Sequence, residues 1–240
     1  AGESGSGKTT MLLALLRMIK TPGYIAGGRA VLDDGTDLIA KSLDEFRKIR
    51  MERLTMVPQG AMNSLNPVMR IADQMMLTMR EHGDDSEKNT ILSKVEELLL
   101  SVGLKVEIGK LFPHELSGGM KQRVCIAQAI CLNPQLILAD EPTSALDVVV
   151  QRQIMQTLTK LQQKLGASVL LVGHDMGLMA QFAERIGIMY QGKLVEVDTA
   201  QNIFSNPQHP YTQSLISSIP SFERRDRLEL KNENKVSSDK

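Results

Sequence analysis

The stretch Gly2-Glu3-Ser4-Gly5-Ser6-Gly7-Lys8-Thr9 limits what this chain can fold into more than any other. It fits G-x-x-x-x-G-K-[S/T], the phosphate loop that turns a β-strand into an α-helix. Its glycines let the backbone curl until N–H groups converge on phosphate oxygens. Lys8 is spaced to reach the β- and γ-phosphates and Thr9 to offer its hydroxyl to Mg²⁺, and the helix starting here adds its positive end. The loop therefore predicts an α/β fold and a nucleoside triphosphate. Such a loop normally follows a strand, and only Ala1 precedes Gly2. The chain is accordingly expected to be truncated at its start.

Beyond the loop, Met11, Leu12, Leu15, Leu16 and Ile19 recur at helical spacing until Pro22-Gly23. Short strands are predicted at 30–32 and 54–57, and helices at 71–80 and 87–102. In the second helix Ile91, Leu92, Val95, Leu98, Leu99 and Val102 share one face, with Gly103 as a C-terminal cap. A helix from about 119 to 132 stops before Asn133-Pro134, and the apolar run Leu136-Ile137-Leu138-Ala139 follows. A long helix over 148–165 precedes a further apolar strand at 168–172. Continuous apolar runs alternating with helices predict a mostly parallel sheet covered on both faces. Residues 185–190 and 193–197, joined at Gln191-Gly192, are expected to finish that sheet as a hairpin. From about Phe222 the chain is charged and poor in apolar residues, which reads as a mobile tail.

The 240 residues carry zero formal net charge and 3% aromatics, with no tryptophan. Bulk positive charge and base-stacking platforms are thus absent, and nucleic acid is not an expected partner. No apolar run approaches the roughly 20 residues of a membrane span. Nothing resembles a signal peptide, so a soluble, intracellular protein is expected. Cys125 and Cys131, six residues apart on one predicted helix, match no common zinc or redox spacing and read as buried structural thiols. Met62, Met69, Met75, Met76 and Met79 have two open readings. They form either an adaptable groove for a partner helix or plain helical core.

Two further segments carry chemistry. The apolar strand ends in Asp140-Glu141, and ligands gather at the carboxyl edge of a parallel sheet. Asp140 is placed to hold Mg²⁺, and Glu141 to orient and deprotonate a water. The alternative is an acidic cap on the turn with Pro142. In Leu116-Ser117-Gly118-Gly119, a hydroxyl, approachable backbone N–H groups and a helix start make a second anion site. An ordinary capped helix start is the other reading. Two anion sites in one chain point to two chains sharing their nucleotides.

Leu116-Ser117-Gly118-Gly119 followed by Gln122-Arg123 resembles the signature motif of ATP-binding cassette (ABC) proteins. Other landmarks of that family follow in order. Gln59 resembles its glutamine loop, Asp140-Glu141 its second nucleotide motif, Ser144-Ala145-Leu146-Asp147 the loop that crosses between subunits, and His174 its switch histidine. The resemblance implies a P-loop ATPase with a helical subdomain at about 63–133, an extension at about 200–220 and a tail over 221–240. It implies Mg²⁺ held by Thr9, Asp140 and Gln59, and ATP on Gly2, Glu3, Ser4, Gly5, Ser6, Gly7, Lys8, Thr9 and Thr10. Ser117, Gly118, Gly119 and Asp147 of a head-to-tail partner ATPase subunit, identical or homologous, would close over that ATP. Catalytic roles would fall to Glu141, His174 and Gln59.

Within the family, Met62-Asn63-Ser64-Leu65-Asn66-Pro67, Pro113-His114-Glu115 and His209-Pro210-Tyr211-Thr212 resemble the oligopeptide, dipeptide and nickel importer ATPases. Integral membrane permeases, an extracellular substrate-binding protein acting indirectly, and a peripheral place on the cytoplasmic membrane face are the implied setting. The family's upstream antiparallel layer, phosphate-loop strand and adenine-stacking aromatic are not in this sequence, which predicts weak adenine grip and poor solubility alone. Gly173 stands where the family commonly has threonine. Two other outcomes stay open: a soluble ABC ATPase of DNA repair or chromosome maintenance, and an inactive remnant.

Overall fold

The computed structural model describes residues 1–60, 64–144 and 146–219. The expectations placed on Met62, Asn63, Ala145, Pro220 and the 221–240 tail lie outside the described residues. The chain divides into two compact units, one of Thr9–Val172 and one of Ala1–Lys8 with the chain from Gly173 onward.

In the larger unit, helix α1 (Lys8–Leu15) follows the phosphate loop. Its apolar pattern predicts a longer helix, but Arg17 takes a left-handed φ of 52°. The amides of Arg17 and Met18 fold back to the carbonyls of Ala14 and Leu13, a closing turn that caps the helix early. Helix α2 (Leu43–Ile49) was not anticipated, although Ser42 and Glu45 form a reciprocal capping box at its start. The strand expected at 30–32 is a single bridge, Val31 to Asp37, because Asp37 turns the chain there by accepting the amides of Ala30 and Ile39.

Strands β1 (Leu54–Val57), β2 (Leu136–Asp140) and β3 (Ser168–Val172) form a parallel sheet with β2 in the centre. Ile137, Leu138 and Ala139 are fully buried, as a central strand covered on both faces requires. Leu12, Leu16, Leu38, Phe46, Ile49, Leu54, Leu138 and Val172 make one core cluster. Each large apolar side chain enclosed there contributes roughly 1.5–3 kcal/mol.

Between β1 and β2 the chain is mainly helical from Ile71 onward. It comprises α3 (Ile71–Glu81), α4 (Lys88–Ser101), two short 3-10 turns (Val106–Lys110 and Pro113–Glu115) and α5 (Gly118–Ala129). Helix α3 packs on α4 and the first 3-10 turn, and α5 touches α3, α4 and β1. Met75 and Met79 are buried in α3, so for them the core reading holds, whereas Met69 and Met76 remain partly exposed. Helix α5 stops before Cys131, so the two cysteines do not share a helix as expected; Asn133 turns the chain with φ 53°. Cys125 is buried as expected and Cys131 only partly so, and burial pushes both thiols up to about 11. Helix α6 (Val148–Leu165) has the predicted bounds, and it is capped by Asp147 and ends at Gly166 in a left-handed conformation.

In the smaller unit, α7 (Met176–Phe182) leads to the antiparallel hairpin of β4 (Arg185–Tyr190) and β5 (Lys193–Thr199), then α8 (Ala200–Ser205) and α9 (Pro210–Ser217). The hairpin forms its own two-stranded sheet rather than finishing the parallel one. The outer edge of β4 is taken by Ala1, which donates to the Gly187 carbonyl and accepts the Met189 amide.

Candidate functional site

In the larger unit, strand register places the acidic groups. Val57 pairs with Ala139 across β1 and β2, so Gln59 and Glu141, each two residues further on, are brought level at the carboxyl edge. The Gln59 side-chain amide donates to Glu141 Oε2 at 3.0 Å. Asp140 ends β2 at 1% exposure, and the Thr9 hydroxyl donates to its Oδ1 at 3.2 Å. Glu141 itself has φ 43°, a strained value for a residue with a Cβ, and its amide is tied to the Val172 carbonyl on β3 at 2.9 Å. Such strain is held where surrounding bonds over-determine it.

Ser117 caps α5 by accepting the Met120 amide at 3.3 Å, and Gly118 and Gly119 open the helix. A Cβ on Gly119 would meet Val150 Cγ1 at 2.8 Å, so the glycine lets α5 approach the start of α6. Asp147 caps α6 by accepting the Val150 amide at 3.0 Å. Ser117, expected at an anion site, and Asp147, expected in the loop that crosses between subunits, therefore both fill the ordinary capping role. The exposed Ser117 hydroxyl remains at the surface.

In the smaller unit, the phosphate loop wraps its own lysine. Lys8 Nζ donates to the carbonyls of Gly2 at 2.8 Å and Glu3 at 2.7 Å, and to Ser6 Oγ at 3.4 Å. Lys8 is 6% exposed and Ser6 4%. Gly2 has φ 147°, and a Cβ there would lie 2.2 Å from the Met189 carbonyl oxygen, so no other residue fits. Gly5 and Gly7 also take positive φ, which is how the loop curls. Ser4 is exposed in the turn, and Thr10 is exposed on α1 in the larger unit. His174 is exposed in the turn before α7, where the neighbouring Asp175 accepts the Leu178 amide as the helix cap.

The donors suit the expected ligands. Thr9, Asp140 and Gln59 are hard oxygen donors of the kind Mg²⁺ takes, and too few to satisfy it without phosphate and water. One contact escaped the sequence reading. Tyr211 on α9 reaches the Glu3 amide of the loop, and the His-Pro-Tyr-Thr run was its only signal.

The family model described as ABC transporter matches residues 1–144, and that described as the oligopeptide/dipeptide transporter C-terminal region matches residues 195–240. The oligopeptide transport ATP-binding protein OppD of Bacillus subtilis is 40% identical over 95% of this chain, which spans 64% of that relative's length. The dipeptide transport ATP-binding protein DppD of Haemophilus influenzae is 42% identical over 95% of this chain and 69% of its own. A solved structure described as the dimeric post-hydrolysis state of the ATP-binding cassette MJ0796 bound to ADP and Pi superposes with a TM-score of 0.71. It is 32% identical, over 83% of each chain.

Proposed function

The chain belongs to the ABC transporter family, and we propose on that premise that it is the ATP-hydrolysing subunit of a membrane importer of peptides. The observation that carries this reading is the Thr9–Asp140 contact at 3.2 Å, two oxygen donors side by side with Glu141 next in the chain. Loop amides and Lys8 hold the phosphates and offset their charge. Mg²⁺, when bound, neutralises the charge that builds on the transferring phosphoryl group. Thr9, Asp140 and Gln59 are the residues that would hold it.

Glu141 accepts the proton of the attacking water as its oxygen bonds to the γ-phosphorus. The bond to the β-phosphate oxygen breaks, leaving ADP and inorganic phosphate. Gln59, donating to the same carboxylate, keeps that base aimed until nucleotide arrives and relays its presence to membrane partners. His174 donates to the γ-phosphate. The helical stretch of about 63–133 carries the signature turn, and Ser117, Gly118, Gly119 and Asp147 of a second ATPase subunit close the pocket. A solved neighbour described as dimeric supports this arrangement.

The C-terminal match at residues 195–240 and the relatives' names support di- or oligopeptide cargo. No helix among the described residues is long and apolar enough to cross a membrane. Permease subunits would supply the path, a substrate-binding protein the cargo, and this chain would dock on their cytoplasmic face. Glu141→Gln tests the reading. ATP binding should persist while turnover falls about 100-fold or more. Unimpaired turnover would remove Glu141 from its role.

A further inference from the structure

Inside the smaller unit, the phosphate loop is gripped from outside by the C-terminal helices. The Tyr211 hydroxyl accepts the Glu3 amide at 3.2 Å, across 208 residues of sequence. Its ring stacks on Tyr190 at the end of β4, with centroids 4.2 Å apart and planes 27° from parallel. The hairpin adds two bonds to the same loop, from Met189 to the Ala1 carbonyl and from Gly192 to the Ser6 carbonyl. On the inner side, Lys8 takes the Glu3 carbonyl. Both the amide and the carbonyl of Glu3 are therefore engaged.

Tyr211 is itself held by a chain of contacts starting on β5. The Glu196 carboxylate accepts the amides of Gln208 at 2.8 Å and His209 at 3.0 Å. His209 Nδ1 then accepts the Tyr211 amide at 3.1 Å, and Pro210 opens α9. Thr212 and Ile216 bury the inner face of that helix. Burial raises the Tyr211 phenol above its usual range. A hydroxyl aimed at a loop amide by three successive contacts is more than α9 needs for its own packing.

We propose that Tyr211 is a positioning residue for the phosphate loop, through which the segment after β5 sets the affinity for the triphosphate of ATP. This rests on the ATP-binding reading above. The mechanism is preorganisation: a loop already curled loses less freedom when its inward amides take phosphate. A loop without the pin samples other curls, and its affinity falls by the fraction of time spent in the competent one.

The test compares the unaltered chain with Tyr211→Phe, which keeps the ring stack, and Tyr211→Leu, which loses both contacts. Dissociation constants for ATP and for inorganic triphosphate, kcat and KM for hydrolysis, and thermal midpoints are measured for each. Tyr211→Phe should weaken both ligands about 3- to 10-fold, the range of one lost hydrogen bond. KM should rise with them, while kcat stays within about twofold and the thermal midpoint falls by no more than about 2–6 °C. Tyr211→Leu should weaken both ligands further. Wild-type affinity in Tyr211→Phe overturns the proposal, as does a fall in the thermal midpoint with affinity unchanged, which would mark mere packing. If the unaltered chain binds neither ligand, the ATP reading itself fails and takes the pin with it.

Discussion

The two units place their functional groups by different means. In Thr9–Val172, Gln59 meets Glu141 because two adjacent parallel strands run in a register set by their own hydrogen bonds. Ser117 and Asp147 sit where they do because each caps the helix that follows it. In the other unit, the phosphate loop takes its shape from residues that lie 186 and 208 positions away, Gly187 and Tyr211. The lesson is that one half of the chemistry is positioned by sheet and helix ends, while the other is positioned by the chain's late segments. Changes after residue 185 should therefore reach the phosphates first, and changes in the sheet should reach the carboxylates.

The strongest attempt to break this contrast is Gly2→Ala. The added methyl would lie 2.2 Å from the Met189 carbonyl oxygen, and φ 147° is strained for any L side chain. Backbone has to shift, at a cost on the order of 2–3 kcal/mol. We expect ATP affinity to fall about 30- to 100-fold, read by calorimetry, with helix content by circular dichroism unchanged. Undiminished affinity would mean that β4 does not shape the loop.

A smaller effect sharpens the other side. Gly119→Ala drives a methyl to 2.8 Å from Val150 Cγ1, entirely within the sheet unit. A stiff branched side chain gives little, so about 1–3 kcal/mol of stability should be lost in denaturant melts. The paired change Gly119→Ala with Val150→Ala should recover most of it. Failure of that rescue would show that the glycine serves something other than close approach of α5 and α6.

These regions also differ in how legible they were. The bounds of helix α6 could be read from its apolar pattern, while its Asp147 cap and left-handed Gly166 emerged only in the structure. Strand β2 and its Asp140-Glu141 end were equally plain, because a short apolar run between helices has few other uses. Helix α2 carried a readable Ser42–Glu45 capping box, but seven residues give too few apolar repeats to stand out. The 30–32 run looked like a strand because β propensity says nothing about partners, and Asp37 spends those backbone groups on a turn.

Glu141 was singled out by its place after β2, whereas its left-handed backbone and its bond to Val172 have no sequence signal. The Tyr211–Glu3 contact was out of reach for the same reason. Motif order could name the His-Pro-Tyr-Thr run without saying what the tyrosine touches.

The central claim is that two such subunits share one triphosphate, the loop of one closed by the Ser117–Gly119 turn of the other. The most direct test is the mass of Glu141→Gln by analytical ultracentrifugation with and without ATP and Mg²⁺, beside the same protein carrying Ser117→Arg. The account predicts a doubling of mass with ATP in the first and a monomer in the second. A Glu141→Gln protein that binds ATP yet stays monomeric at saturation would contradict pairing of identical subunits, and a Ser117→Arg protein that pairs as well would contradict closure by that turn.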